Sequence, residues 1–445
     1  MSVVLPVVLI VQMLQMPRAF AKMVSHLQIS NESFLNSNFS QDQRTNFQSF
    51  GARVRQNDRK DFFQTDIEAH FAVGSSQMST LGLHELYIQS ENFKVGRARE
   101  SWSIADQEWK LGVVEPVMRS RPLDPQTQGL VGFFLDADFS GFRGMLFASP
   151  IFLPEQGPSY EITNGQIVSQ DPWFQKPPSY VEIFPNQPAE KINYNVIKPS
   201  ESQVVFQREF GGMIQTPKDH PWFFQASYIY KPNNQIALTY RGYKPLSAAQ
   251  IDRVNVDIVP KVFYHHVTSM DAGWRKKAHQ VTMSVMYDSP DQIKDADTEV
   301  YTSPQFKPAL ILSPRIQIDA KYFLLIASRL QMTGGEITET GKDSNSNRIA
   351  LTQKYFYRQA NSLGVSSYFY FGKSRSIAQK LNYTFDDRMD FEIIKYSPSL
   401  ILSDIWRLYG EVELINAKNP TVDNPQQVYN FVDHDRAYLG VGYAF

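Results

Sequence analysis

The chain contains no cysteine. That excludes a disulfide framework, a thiolate metal site and a cysteine nucleophile. It also lacks an excess of either charge: 44 Lys and Arg stand against 45 Asp and Glu, a net charge of −1. A basic surface for nucleic acid is therefore not indicated. After residue 21 there is no run of 18 apolar residues, so no helical membrane span is predicted. The common catalytic signatures are missing too. There is no nucleophile elbow, no phosphate loop and no Gly-rich turn leading into a dinucleotide-binding helix. The eight histidines show no ligand spacing, and the adjacent His265 and His266 point to opposite faces of a strand. No metal, no cofactor and no enzymatic activity is expected. No capped amphipathic helix is predicted after residue 22.

What the chain has is alternation. In Phe63–Val73, Phe63, Ile67, Ala69, Phe71 and Val73 share one face, while Gln64, Asp66, Glu68 and His70 share the other. Period two marks a strand with one apolar face. The pattern recurs in Leu81–Ser90, Phe93–Arg99, Trp109–Val114, Leu130–Leu135, Phe142–Ala148, Val204–Ile214, Trp222–Tyr230, Gln235–Tyr240, Ile377–Phe385 and Trp406–Leu414. Many of these segments reach about nine residues or more, the length a tilted strand needs to cross a bilayer. Aromatics make up 13% of the chain. The mean hydropathy of −0.35 argues against a helical membrane bundle but not against strands that are wet on one side. Pro308–Ser313 and Pro398–Ser403 echo each other, and both are expected to descend into a short turn.

The two ends carry signals of their own. Val3–Leu14 is nearly all apolar and is followed by Ala19-Phe20-Ala21. This predicts a signal peptide over 1–21 and a mature chain from Lys22, although no Lys or Arg precedes the apolar run. At the other end, Phe445, Tyr443, Val441 and Leu439 alternate with small residues. This ending resembles the C-terminal assembly signal of Gram-negative outer-membrane β-barrels, and the chain as a whole resembles bacterial porins as a class.

The resemblance implies an all-β fold: a transmembrane antiparallel up-and-down β-barrel of 18 strands, from a range of 16–20. It would form a single domain over 22–445, with room for at most a small plug from Lys22 to about Phe47. The location is the outer membrane. The partners are membrane lipid, the barrel assembly machinery and small solutes, and self-association into a homo-oligomer is compatible with the class. The leading function is diffusion of small hydrophilic or charged solutes through a water-filled lumen. The alternative is a non-conducting barrel whose long loops bind a partner or surface.

The polar strand faces nominate pore-lining residues: Asp66, Glu68, Lys94, Arg241, Asp319, Lys321, Lys380, Arg407, Glu411 and Glu413. Charged rings in a pore set the field that orients passing solutes. The faces of Arg97 and Arg99 stay open. Long loops are expected at Ser149–Gln203, Asp288–Ser303, Thr333–Asn347 and Asn416–Arg436. The first holds nine prolines and seven aromatics, too much proline for regular structure. Trp173, Phe174 and Tyr180 in this loop are candidates for an inward constriction or an outer cap.

Overall fold

The computed structural model describes residues 24–444, except 37–38, 40–42, 57–61, 140, 183–187, 218–219, 244–252, 294–300, 340–353, 373–374, 388–389 and 419–427. The expected signal peptide over 1–21, Lys22 and Phe445 lie outside the described residues, as does much of the expected Thr333–Asn347 loop.

Eighteen strands form one antiparallel sheet that closes on itself, the number expected from the alternation. The first, Val24–Phe34, pairs with the last, Arg436–Ala444, with His26 opposite Ala444 and Phe34 opposite Arg436. A closed sheet leaves no unpaired edge, so its backbone needs no water. Both ends of the sheet's chain lie at one rim. Turns at that rim are short, as at Lys277-Ala278 and Lys321-Tyr322. The other rim carries the long connections 99–129, 150–208, 233–263 and 335–358.

The outer wall is apolar. Ile29, Phe133, Leu146, Met270, Ile316, Leu363, Leu381 and Leu408 all stand exposed on it, and Trp222 and Trp406 lie at the short-turn rim. A soluble monomer rarely exposes an apolar patch beyond a few hundred Å², whereas a membrane-spanning barrel requires such a belt. Leu439 (68% exposed) and Val441 (40%) belong to this belt, as expected for the terminal strand. Tyr443 sits beside Trp406, with ring centroids 5.0 Å apart. On the inner face Ser30, Asp66, Ser269, Asp271 and Ser284 are buried.

The two faces of one strand should therefore respond oppositely to charge. Ile316 is 50% exposed on the outside, and Ile316→Arg is expected to cost about 2–4 kcal/mol near the bilayer midplane. Asp319, three residues along on the inner face, should accept Arg without that loss. Urea unfolding in lipid vesicles measures both.

Several expectations are corrected. The described residues of the Lys22–Phe47 region form no plug: Val24–Phe34 is a wall strand, and Asn46–Gln56 pairs with it. Gln235–Tyr240 does contain a strand, but Ala237–Tyr243 lies outside the barrel in a four-stranded cap sheet. There it pairs with Arg253–Lys261, which runs parallel to Glu190–Val196 from the Ser149–Gln203 loop. Ile192, Tyr194 and Ile258 form the core of this cap. The proline-rich loop thus contains regular structure after all, including the short helix Glu201–Val205. Pro308–Ser313 and Pro398–Ser403 lie at opposite rims, because Ala309–Ala320 starts at the long-loop end while Phe391–Ile401 finishes at the short-turn end. Trp109–Val114 is not a wall strand but part of a segment that enters the lumen.

Candidate functional site

The lumen is occupied by residues 99–129, which join the paired wall strands Phe93–Ala98 and Leu130–Phe139. A chain crossing a barrel interior carries backbone polar groups that need partners. Here the wall supplies them. The segment contains one helix, α1 (Ile104–Trp109), with Ser103 at its N-cap. The Trp102 carbonyl accepts hydrogen bonds from the hydroxyls of Ser227 (2.8 Å) and Ser269 (2.7 Å). The amides of Ile104 and Ala105 donate to Asp271 (3.1 Å) and the Ser284 hydroxyl (3.2 Å). The indole of Trp109 donates to Ser313 (3.0 Å), and Arg315 pairs with Glu108 at 3.1 Å. Asp106 then ties the helix to its sequel, accepting from the amides of Val113 and Val114 at 2.9 and 3.0 Å. Small polar residues on the inner faces of successive strands therefore form the seat of this segment.

The second half of the segment is held by charge. Asp124 lies between Lys110 (2.6 Å) and Lys395 (2.5 Å). Lys395 also reaches Glu411 at 3.1 Å. Arg436, fully buried, bonds Glu411, Glu413 (2.7 Å) and Glu32 (3.2 Å), and Arg121 meets Glu32 at 2.5 Å. Four cations face four carboxylates, so the cluster is neutral as a whole.

On the short-turn side of this segment lies a vestibule of about 1470 Å³, lined in part by His26, Arg53, Arg55, Glu68, Arg407 and Glu411. On its inner side is a smaller cavity of about 100 Å³, enclosed by the 118–126 stretch and by Asp171 and Trp173. Gln28, Glu68 and Tyr438 line both. Beyond it, Trp173 packs against Phe34, Phe431 and His434, with centroids 5.6, 5.8 and 4.9 Å away. The His434 ring reaches the Pro172 carbonyl at 2.7 Å, and Arg436 lies over the Trp173 ring at 5.8 Å.

The predicted site residues divide accordingly. Asp66, Glu68, Lys94, Asp319, Lys380, Arg407, Glu411 and Glu413 do lie on inner faces, judged from their register partners and contacts. Most are not free charges. Asp66 holds Arg53 (2.7 Å) and Arg99 (3.4 Å), Lys94 holds Glu100, and Glu411 and Glu413 hold Arg436. Among the described residues, Lys380 and Arg407 make no ion pair. Arg241 is misplaced by the sequence reading: it pairs with Asp257 in the cap sheet at 3.0 Å. Lys321 sits in a turn beside Tyr322, off the wall. Arg97 is buried, donating to the Gln128 side chain (2.8 Å) and the Gly129 carbonyl (2.9 Å). Arg99 pairs with Glu85 as well as Asp66. Of the loop aromatics, Phe174 stacks on Tyr160 under the cap and Tyr180 is exposed on it. Trp173 alone reaches the lumen mouth. Sequence reasoning missed Trp102, Asp106, Asp124 and Arg436. For Trp102 and Asp106 a signal was present in Ser103-x-x-Asp106, an N-cap spacing, but too short to stand out; Asp124 and Arg436 carry no local signal.

Burial pushes the Asp171 carboxyl up to about 7; the nearby Glu32 adds to this, while the Trp173 amide and Arg121 oppose it. An acid raised on folding stabilises fully below its unfolded value, and this contribution is lost as pH rises through the folded one. The 171–173 segment should accordingly be cut faster by protease at pH 8 than at pH 5.5. Asp171→Asn should remove the difference.

No protein-family model and no curated protein matches the chain. Solved structures resemble it in outline. OpdO of Pseudomonas aeruginosa is 11% identical, with 96% of this chain and 97% of that one covered and a TM-score of 0.43. Wzi, an Escherichia coli outer-membrane protein of capsule assembly, is 9% identical over 94% and 84%, at 0.42. A BenF-like porin from Pseudomonas fluorescens is 9% identical over 95% and 97%, also at 0.42.

Proposed function

We propose that the protein is an outer-membrane channel for small hydrophilic or charged solutes, constricted by residues 99–129, and not an enzyme. One observation carries this reading: a vestibule of about 1470 Å³, with His26, Arg53, Arg55, Glu68, Arg407 and Glu411 in its lining, inside a closed barrel whose outer belt is apolar. Arg407, Lys380 and Asp319, without ion partners among the described residues, are wall charges open to a passing ion. The main constriction is 99–129, while the Ser149–Gln203 loop contributes strands to the cap and sets Trp173 at the lumen mouth.

A second reading has an observation of its own. The Trp173 cluster and the four-stranded cap sheet gather ordered structure at the long-loop end, as a non-conducting barrel that binds a partner through its loops would require. Single-channel recording of the purified, folded protein in planar bilayers separates the two. Discrete conductance steps support the channel. Their complete absence would reject it in favour of the binding barrel. Cell fractionation tests the location, with recovery in the outer-membrane fraction expected.

A further inference from the structure

The small cavity at the inner end of the vestibule has an unusual chemistry. Three buried polar atoms, Glu68 Oε2, His70 Nε2 and Trp173 Nε1, have no hydrogen-bond partner among the described residues. All three residues line that one cavity. Buried polar atoms are seldom left unsatisfied, because each costs desolvation without return. Three around one space point to something that enters it and supplies the missing bonds.

The charge around the cavity indicates what kind of molecule. Arg121 and Glu32 neutralise each other, and Asp124 lies between two lysines. Glu68 is flanked by Arg53 and His84, each at 3.6 Å, close enough to offset its charge but too far to hydrogen-bond. Asp171 holds its proton up to about pH 7. What remains uncommitted is hydrogen-bonding capacity, not net charge. The indole N–H can only donate, the carboxylate oxygen can only accept, and the imidazole can do either. A hydroxyl group does both, so adjacent hydroxyls can satisfy all three.

We propose that this cavity is a binding subsite for the hydroxylated end of a small neutral polyol or monosaccharide. A cavity of about 100 Å³ has room for a few water-sized groups, with the rest of the molecule trailing into the vestibule through the Gln28–Glu68–Tyr438 junction. The assignment rests on the channel reading for the solute's route, but binding itself can be measured without transport.

Isothermal titration calorimetry of the full chain in detergent micelles, with sorbitol, sodium acetate and methylammonium chloride as probes, tests it. Saturable binding is expected for sorbitol and not for the two ions. Glu68→Gln and Trp173→Phe each remove or weaken one partner and should weaken sorbitol binding about tenfold or more. Heat-modifiable migration checks that each variant has folded; if Trp173→Phe does not fold, Glu68→Gln decides. Binding of an ion without sorbitol, no binding of any probe, or sorbitol binding unchanged in the folded variants would overturn the subsite. Sorbitol-driven liposome swelling is scored separately. Binding without swelling would reject the channel and leave the subsite, whereas swelling without binding would do the reverse.

Discussion

Removing residues 100–128 should turn a constricted barrel into an open one, with single-channel conductance rising several-fold. The geometry permits the deletion. Ala98 and Leu130 are register partners on adjacent wall strands, and paired strands lie about 4.8 Å apart. A two-residue Asn-Gly turn can span that gap. Phe93–Ala98 and Leu130–Phe139 make their ladder bonds to each other and to the neighbouring wall strands, so the barrel should still close. Ser227, Ser269, Asp271, Ser284 and Ser313 would then face water, which polar side chains tolerate. Recordings of the deletion protein beside wild type are the measurement. Equal conductance in both would show that solutes do not meet this segment, and the proposed path would be wrong.

Arg436→Ala should be among the most destabilising single substitutions in the chain. Arg436 is completely buried and bonds Glu32, Glu411 and Glu413. Truncating it leaves Glu413 and part of the charge on Glu32 without a partner in a site closed to water. Breaking a buried ion pair on one side costs about 3–5 kcal/mol. Urea unfolding in detergent or vesicles should show a loss of that order. Glu411→Lys with Glu413→Lys should likewise fail to give an anion-selective pore, because both acids are committed to Arg436. That double variant is expected to lose folded protein instead of reversing selectivity. Arg407→Glu is the substitution expected to shift ion preference, since Arg407 lines the vestibule and has no ion partner among the described residues.

The barrel was legible because a lipid-facing wall and a wet lumen impose a period of two on each strand. Phe63–Val73 and Trp406–Leu414 show it cleanly, and their polar residues do face inward. The lumen contents were not legible for a related reason. Trp109, Leu111 and Val113 alternate as a strand would, yet the Trp109 indole bonds Ser313 on the wall 204 positions away, and the Leu111 and Val113 amides bond Asp106 of the preceding helix. Alternation tells which residues share a face, not what the face meets. The same ambiguity put Arg241 on the wall: its strand is real, but its apolar side packs on the cap core. Lys321 fell in a turn because alternation runs smoothly past Ala320 while the chain reverses. Glu411 and Glu413 were placed correctly and misread as free, since their shared partner Arg436 belongs to the next strand.

The seam between the first and last strands carries a further consequence. Glu32 and Arg436 are separated by 404 positions yet meet at 3.2 Å across the line where the sheet closes. A strand closing one residue out of register would turn Arg436 toward lipid. A slip of two residues would carry it about 6.7 Å along the strand, beyond reach of Glu32. In either case Glu413 would be left buried without its ion partner, and Glu32 and Glu411 would each keep one cation, Arg121 and Lys395. The buried cluster thus acts as a lock with one key position: the last strand to arrive can settle only where its arginine finds all three acids. Closure in the correct register is then enforced by charge at one rim and by lipid contact along the rest of the strand.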